Sequence, residues 1–342
     1  MRKKIFTFVL SVLLIGMCFS ACQAWPTFGP WSAPGSGQPP APSPLPQWST
    51  FSETKYVTDL AFDQGGHLWA ASLQGVIRWD IDSGSSVIFT VDDGLAGNNV
   101  NCLAVTPDGA LWFGTNYGVT HFDGQNWATY TSEDGLAEDR VQAIAVEPDG
   151  TLWFGTYGGL SGFKPPAGSG EGDGVWTTYT SEDGLAGDRV LSIALHPDGS
   201  LWLGTFGGGV SHFEDGSWTT YTTEDGLADN RVKDIAVDPD GTLWFATFGR
   251  GISHFDHDNW TTYTTEDGLA ENVLNCITVA PDGVVWVGAA DNGISRFDGQ
   301  TWTRYTASHG LVDNETWSIL AASDGTVWAS SINGISRLFS SE

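Results

Sequence analysis

Carboxylates recur along this chain in the segment Glu-Asp-Gly-Leu, at 133–136, 182–185, 224–227 and 266–269, with Asp-Asp-Gly-Leu at 92–95 and Ser-His-Gly-Leu at 308–311. Clustered acids could bind calcium, but each copy supplies too few oxygen ligands to do so tightly. Arg140, Arg189 and Arg231 share one position in "(D/N)RV" just after three of these copies. Guanidiniums at matching positions could hold a carboxylate or phosphate, or could pair with the acids of their own loops. His121, His212 and His254 share another position, in "(T/S)HF", where Arg78, Arg296 and Arg337 stand elsewhere. A place that accepts His or Arg reads as a solvated cationic position and not as a metal ligand. The stretch "TASHGLVDNETW" differs from its counterparts: His309 replaces an Asp, and Glu315 stands where an Arg stood. The pair could act as acid and base, or could be drift in a terminal copy. No Ser/His/Asp order, Gly-rich phosphate loop, Cys-x-x-Cys zinc spacing or EF-hand loop is present, and no cofactor is expected.

What positions these residues is a repeat. Trp69, Trp112, Trp153, Trp202, Trp244, Trp286 and Trp328 all follow an Asp-Gly or Gly-Gly turn, at intervals of 41 to 49 residues. The long interval carries an insertion at 164–174. Within one unit, residues 231–268, four short apolar runs alternate with turns: "RVKDIAVDPDG", "TLWFATF", "GISHFD" and "NWTTYTT". Four strands in about 42 residues is the pattern of one β-propeller blade. The last unit stops after its third strand, and "QWSTF" at the other end resembles the missing fourth. The expected fold is therefore all-β: a seven-bladed propeller over 48–342, closed by residues 48–51 completing the last blade, which removes free sheet edges.

In such a ring, the loops between second and third strands and those leading from blade to blade share one face, here called the upper face. Ligand sites concentrate where several blades converge. Tyr117, Tyr157, Phe206 and Phe248 fall in the second-to-third-strand loops of four successive blades, with Arg250 beside the last. Their rings could stack on sugars, or could cover sheet edges between blades.

The unit resembles the two-component regulator propeller repeats, marked by "GxLWxGTxxGLxxFDGxxWxxYTxxDGL", over residues 48–339. The resemblance implies a propeller and suggests sensing, since members of that family form extracellular sensor parts of hybrid histidine kinases and bind oligosaccharides or similar ligands. These 342 residues show no kinase, receiver or DNA-binding segment, so any sensor kinase is expected as a separate chain. Streptogramin lyases are seven-bladed propellers with similar "PDGxLWF" strands, which makes a lyase the alternative; a purely structural surface scaffold is a third.

The first residues read as an export signal: basic "MRKK", apolar "IFTFVLSVLLIGM", then "FSAC". This resembles a bacterial lipobox, with residues 1–21 removed and Cys22 lipidated. Residues 22–47 are rich in Pro, Gly and Ser and read as a tether holding the propeller off the cell envelope. The expected partners are a carbohydrate or protein ligand, with the membrane met only through the lipid. A net charge of -27 repels nucleic acid and anionic head groups. Cys102 and Cys276 lie in matching strand contexts and are expected as buried single thiols.

Overall fold

The computed structural model describes residues 48–52, 54–166 and 174–339, all within one compact unit, Leu45–Glu342. Cys22, the 1–21 signal, the 22–47 tether and the middle of the 164–174 insertion lie outside the described residues. Among the described residues 28 strands form seven antiparallel four-stranded sheets. Blades 1 to 6 each run inner to outer in chain order, as in blade 5: Val232–Val237, Leu243–Thr247, Ile252–Asp256 and Asn259–Tyr263. Blade 7 joins Ser318–Ala321, Val327–Ser331 and Gly334–Leu338 to the N-terminal strand Trp48–Phe51, which pairs Trp48 with Leu338 and Phe51 with Ile335. The expected ring closure is present. Among the described residues no helix is long and apolar enough to cross a membrane.

Packing between blades explains the repeat. Each repeated Trp reaches its neighbour: Trp69 lies 5.9 Å from Phe113, Trp112 lies 5.6 Å from Phe154, and Trp202 lies 6.0 Å from Phe245, ring centre to ring centre. Closer to the axis, blade 4 leaves no room for a side chain at Gly204. A Cβ on Gly204 would come within 2.4 Å of the Ser192 hydroxyl and 2.8 Å of Val232 in the next blade. The histidine position is settled by the same packing. His212 stacks on Trp202 at 4.0 Å and His254 on Trp244 at 4.1 Å, and Arg337 lies over Trp328 at 4.7 Å. These histidines are half-buried, not solvated, and burial pulls their pKa values down despite acids nearby. Cross-strand stacking on an indole, which either imidazole or guanidinium can do, is what the position requires.

The Glu-Asp-Gly-Leu segment is a self-satisfied joint. In 222–227 the Asp225 carboxylate accepts hydrogen bonds from the Thr222 N–H (2.8 Å) and hydroxyl (3.2 Å), and Leu227 plugs the gap between blades. Gly226 has φ 119°, and a Cβ there would press on Trp260 at 2.8 Å. A left-handed backbone under an indole admits only glycine.

The inner strands carry a shared irregularity. Pairing with the second strand skips one residue in each of blades 1 to 6, between Val57 and Asp59 in the first and Val232 and Asp234 in the fifth. Asp59 and Asp234, one residue past the skip, turn toward the next blade, where they accept hydrogen bonds from the Leu103 and Ile277 N–H groups (3.0 and 2.9 Å). Cys102 and Cys276 occupy the same place in blades 2 and 6 as buried free thiols whose pKa burial pushes up. Although Asp234 touches the channel, protein crowds it closely, and desolvation outweighs its backbone hydrogen bonds, raising its pKa to about 7. A carboxyl raised in the fold stabilises fully below its unfolded value of 3.8, and that contribution is lost as pH rises through about 7. Asp234→Asn is therefore expected to destabilise more at pH 5 than at pH 8, by about 2 kcal/mol. Urea unfolding of both proteins at the two pH values measures this, and equal differences would refute it.

Candidate functional site

The residue skipped in each inner strand is turned into the axial channel, as bulges commonly re-aim side chains. Thr58, Asn101, Gln142, Leu191, Lys233 and Asn275 occupy this place in blades 1 to 6, and Trp317 corresponds in blade 7. Together they line a cavity of about 390 Å³ that also reaches Asp59, Asp234 and Glu315. Sequence reasoning missed this ring, because these are the variable positions of the repeat. The signal that could have found it is the residue directly after the first Val or Leu of each inner strand.

Above the channel, the structure merges two sets that look separate in the sequence. Each rim aromatic of blades 3 to 5 donates its backbone N–H to the carbonyl of a residue that bears a guanidinium: Tyr157 to Arg140 (3.2 Å), Phe206 to Arg189 (3.0 Å) and Phe248 to Arg231 (3.0 Å). The side chains then interleave. Arg140 and Arg189 lie over the Tyr157 ring at 4.1 and 4.0 Å, Arg189 also lies over Phe206 at 4.3 Å, and Arg231 lies over Phe248 at 5.4 Å. Arg189 also donates to the Tyr157 hydroxyl. Each such contact is worth about 0.5–2 kcal/mol, depending on how far it is desolvated.

The three arginines are not equivalent. Arg231 grips Asp229 with two hydrogen bonds (3.0 and 2.7 Å), and these, with the charge of Arg250 adding less, hold the Asp229 carboxyl below the usual range. Pairing within the loop thus applies to Arg231. Among the described residues Arg140 and Arg189 form no ion pair, and the Arg189 Nε is buried without a partner. Arg250 is exposed on the blade 5 rim loop. Tyr117, on blade 2, stands apart: it is 64% exposed and no guanidinium covers it. Phe206 and Phe248 are 45% and 41% exposed. A second cavity of about 190 Å³ lies beneath this ladder and is lined by Tyr157, Arg189, Phe206, Arg231 and Phe248, together with Gln142 and Lys233 from the channel.

His309 and Glu315 have different partners. His309 ends a short helical turn, Ala307–His309, and its Nδ1 accepts the Thr306 N–H at 3.0 Å. That is the bond Asp225 accepts in its own joint. Glu315 instead accepts the Trp317 indole N–H at 2.7 Å, at the edge of the channel. No contact joins the two residues. Among the described residues no group of three or more His, Cys, Asp or Glu side chains is placed to hold a metal ion.

Comparisons place this geometry among known folds. The extracellular domain of one hybrid two component system from B. thetaiotaomicron matches with TM-score 0.74 and 23% identity over 86% of this chain and 41% of that one. A second such domain from B. thetaiotaomicron matches with TM-score 0.69 and 17% identity over 85% and 42%. The chain thus spans about two fifths of the length of these structures. A catalytically inactive virginiamycin B lyase from Staphylococcus aureus, solved with quinupristin, matches with TM-score 0.69 and 18% identity over 85% of this chain and 98% of that one. At these identities the likeness is one of fold. No curated protein matches the chain. The model described as two component regulator propeller matches residues 94–117, 135–158, 184–207 and 226–249. Each matched stretch starts at a joint glycine and runs through the two inner strands of a blade to its rim. Four blades of this seven-bladed ring thus carry stretches that match two component regulator propeller repeats.

Proposed function

We propose that the chain is a non-enzymatic recognition module that binds a ligand on the upper face of blades 3 to 5. The observation that carries this is the Arg140–Tyr157–Arg189–Phe206 ladder. Its cations, Arg140 and Arg189, lack the carboxylate that Arg231 of the adjoining blade finds in Asp229. The propeller relatives described as extracellular domains of hybrid two component systems support a sensory role, and the exposed rim aromatics beside the guanidiniums suit a glycan or protein ligand. The N-terminal segment ending at Cys22 supports export and lipid anchoring, and the Pro-rich stretch after it supports a tether.

The recognition reading is tested by screening the full chain on a glycan array and against cell-surface extracts. Tyr157→Ala combined with Arg189→Ala should weaken whatever is bound by about tenfold or more. A ligand whose affinity survives both changes binds elsewhere. Anchoring is tested by labelling cells with a fatty-acid analogue: the wild-type chain should be labelled and Cys22→Ser should not.

His309 separates recognition from lyase chemistry. As the substitute for a joint Asp, it should be replaceable: His309→Asp keeps stability and ligand binding, while His309→Ala loses about 1 kcal/mol by denaturant unfolding. Bond cleavage activity lost in both variants would instead assign His309 to catalysis.

A further inference from the structure

Lys233 is the one cation that the bulged inner strands direct into the channel. Among the described residues no hydrogen bond or ion pair holds its ammonium. Its neighbour Asp234 commits its two carboxylate oxygens to the Ile235 and Ile277 N–H groups. Lys233 lines both the channel and the smaller cavity under the ladder, and in the latter it is joined by Arg189, whose Nε is buried and unpartnered. Two cations without an ion-pair partner thus meet at one cavity, where a single anion could lie against both. Burial pushes the Lys233 pKa down, Asp234 works against that, and the charge of Arg189 adds to it.

The rest of the site narrows the anion. Arg140 and Arg189 both lie over the Tyr157 ring, so the rim there presents N–H donors beside it. In the channel the amide groups of Asn101, Gln142 and Asn275 donate to backbone carbonyls of Val141, Val141 and Thr316. Their carbonyl oxygens are left to accept hydrogen bonds. On the far side, Glu315 adds a carboxylate. Donors for an acid therefore lie on blades 4 and 5, and acceptors for hydroxyl groups lie around the remaining wall. We infer that the channel mouth is a site for a polyhydroxy carboxylate, a sugar acid whose carboxylate sits between Lys233 and Arg189 and whose hydroxyls meet the channel amides. This rests on the recognition reading above and names the ligand class for the same face.

Calorimetric titration of the full chain with D-glucuronate and D-galacturonate, their methyl esters, inorganic sulfate and a short peptide with a free C-terminus tests it. One uronate or both should bind at millimolar concentration or better, and at least about tenfold more tightly than the ester of the same sugar. Lys233→Met should weaken the uronate by a similar factor without lowering the urea midpoint, since it keeps the buried stem and removes an unpaired charge. Equal binding of acid and ester, failure of both uronates to bind, binding of sulfate or peptide alone, or an unchanged affinity in Lys233→Met would each overturn the assignment. A neutral glycan that binds, is lost with Tyr157→Ala and Arg189→Ala, and is indifferent to Lys233→Met would overturn the sugar-acid inference while leaving the recognition reading in place.

Discussion

The contact on which this structure depends is an indole from one blade lying against the phenyl rings of the next. Trp112 faces Phe154 and Phe163 across the gap, and Trp202 faces Phe245 and Phe255. Offset and edge-on arrangements of this kind add to the gain from burial. A ring of blades closes only if each interface turns the next sheet by the same angle, so the contact has to recur with little change. A small residue at the inner position (glycine in four blades), leucine in the joint and the stacked His or Arg all serve that one geometry. Blade 3 shows what happens when one element is missing. Gly162 stands where the other blades place a His or Arg, and Trp153 is the repeated indole left half-buried.

Because the interfaces consume so much of each repeat, freedom to vary is confined to a few places. One is the bulged residue on the channel, whose side chain meets the next blade only through hydrogen bonds at its edge, as Thr58, Asn101 and Asn275 do. Another is the rim loop, where the chain reverses in solvent. The unusual chemistry of this chain falls in those two places. Lys233 occupies the first, and Tyr157, Phe206 and Phe248 occupy the second. A rigid scaffold then holds them with little conformational entropy left to lose on binding.

The fold was legible because its constraints are local and repeated. Trp spacing, the joint glycines and the displaced fourth strand at 48–51 all survive as sequence patterns. The rim aromatics and the arginines were also visible, as two separate sets, but not their union. Arg140 and Tyr157 are brought together by strand pairing inside one blade, whereas Arg189 crosses from Phe206 to the Tyr157 ring of the preceding blade. No spacing rule encodes that crossing. The channel ring was invisible for a different reason: Thr58, Asn101, Gln142, Leu191, Lys233, Asn275 and Trp317 share a position but no chemistry. His309 misled in the opposite direction. It looks exceptional in the sequence, yet its Nδ1 performs the hydrogen bonding of the Asp it replaces.

Charge distribution ties these features together. The chain has 14 Lys and Arg residues against 41 Asp and Glu, so a cation placed at random would find an acid nearby. Arg231 does, in Asp229. Among the described residues Arg140, Arg189 and Lys233 gather on adjoining blades without an ion pair, although Asp234 adjoins Lys233 and acids are abundant on the same loops. Self-pairing would have been the lower-energy arrangement for a structural role, particularly for Lys233 inside the channel, where desolvation is costly. An anionic ligand would recover that cost at the moment of binding. The surrounding negative field would disfavour anions that lack the close fit needed to reach both Arg189 and Lys233. Selectivity would then come from depth: an acid that stops at the rim meets a net repulsive protein, and one that enters the channel mouth meets two waiting cations.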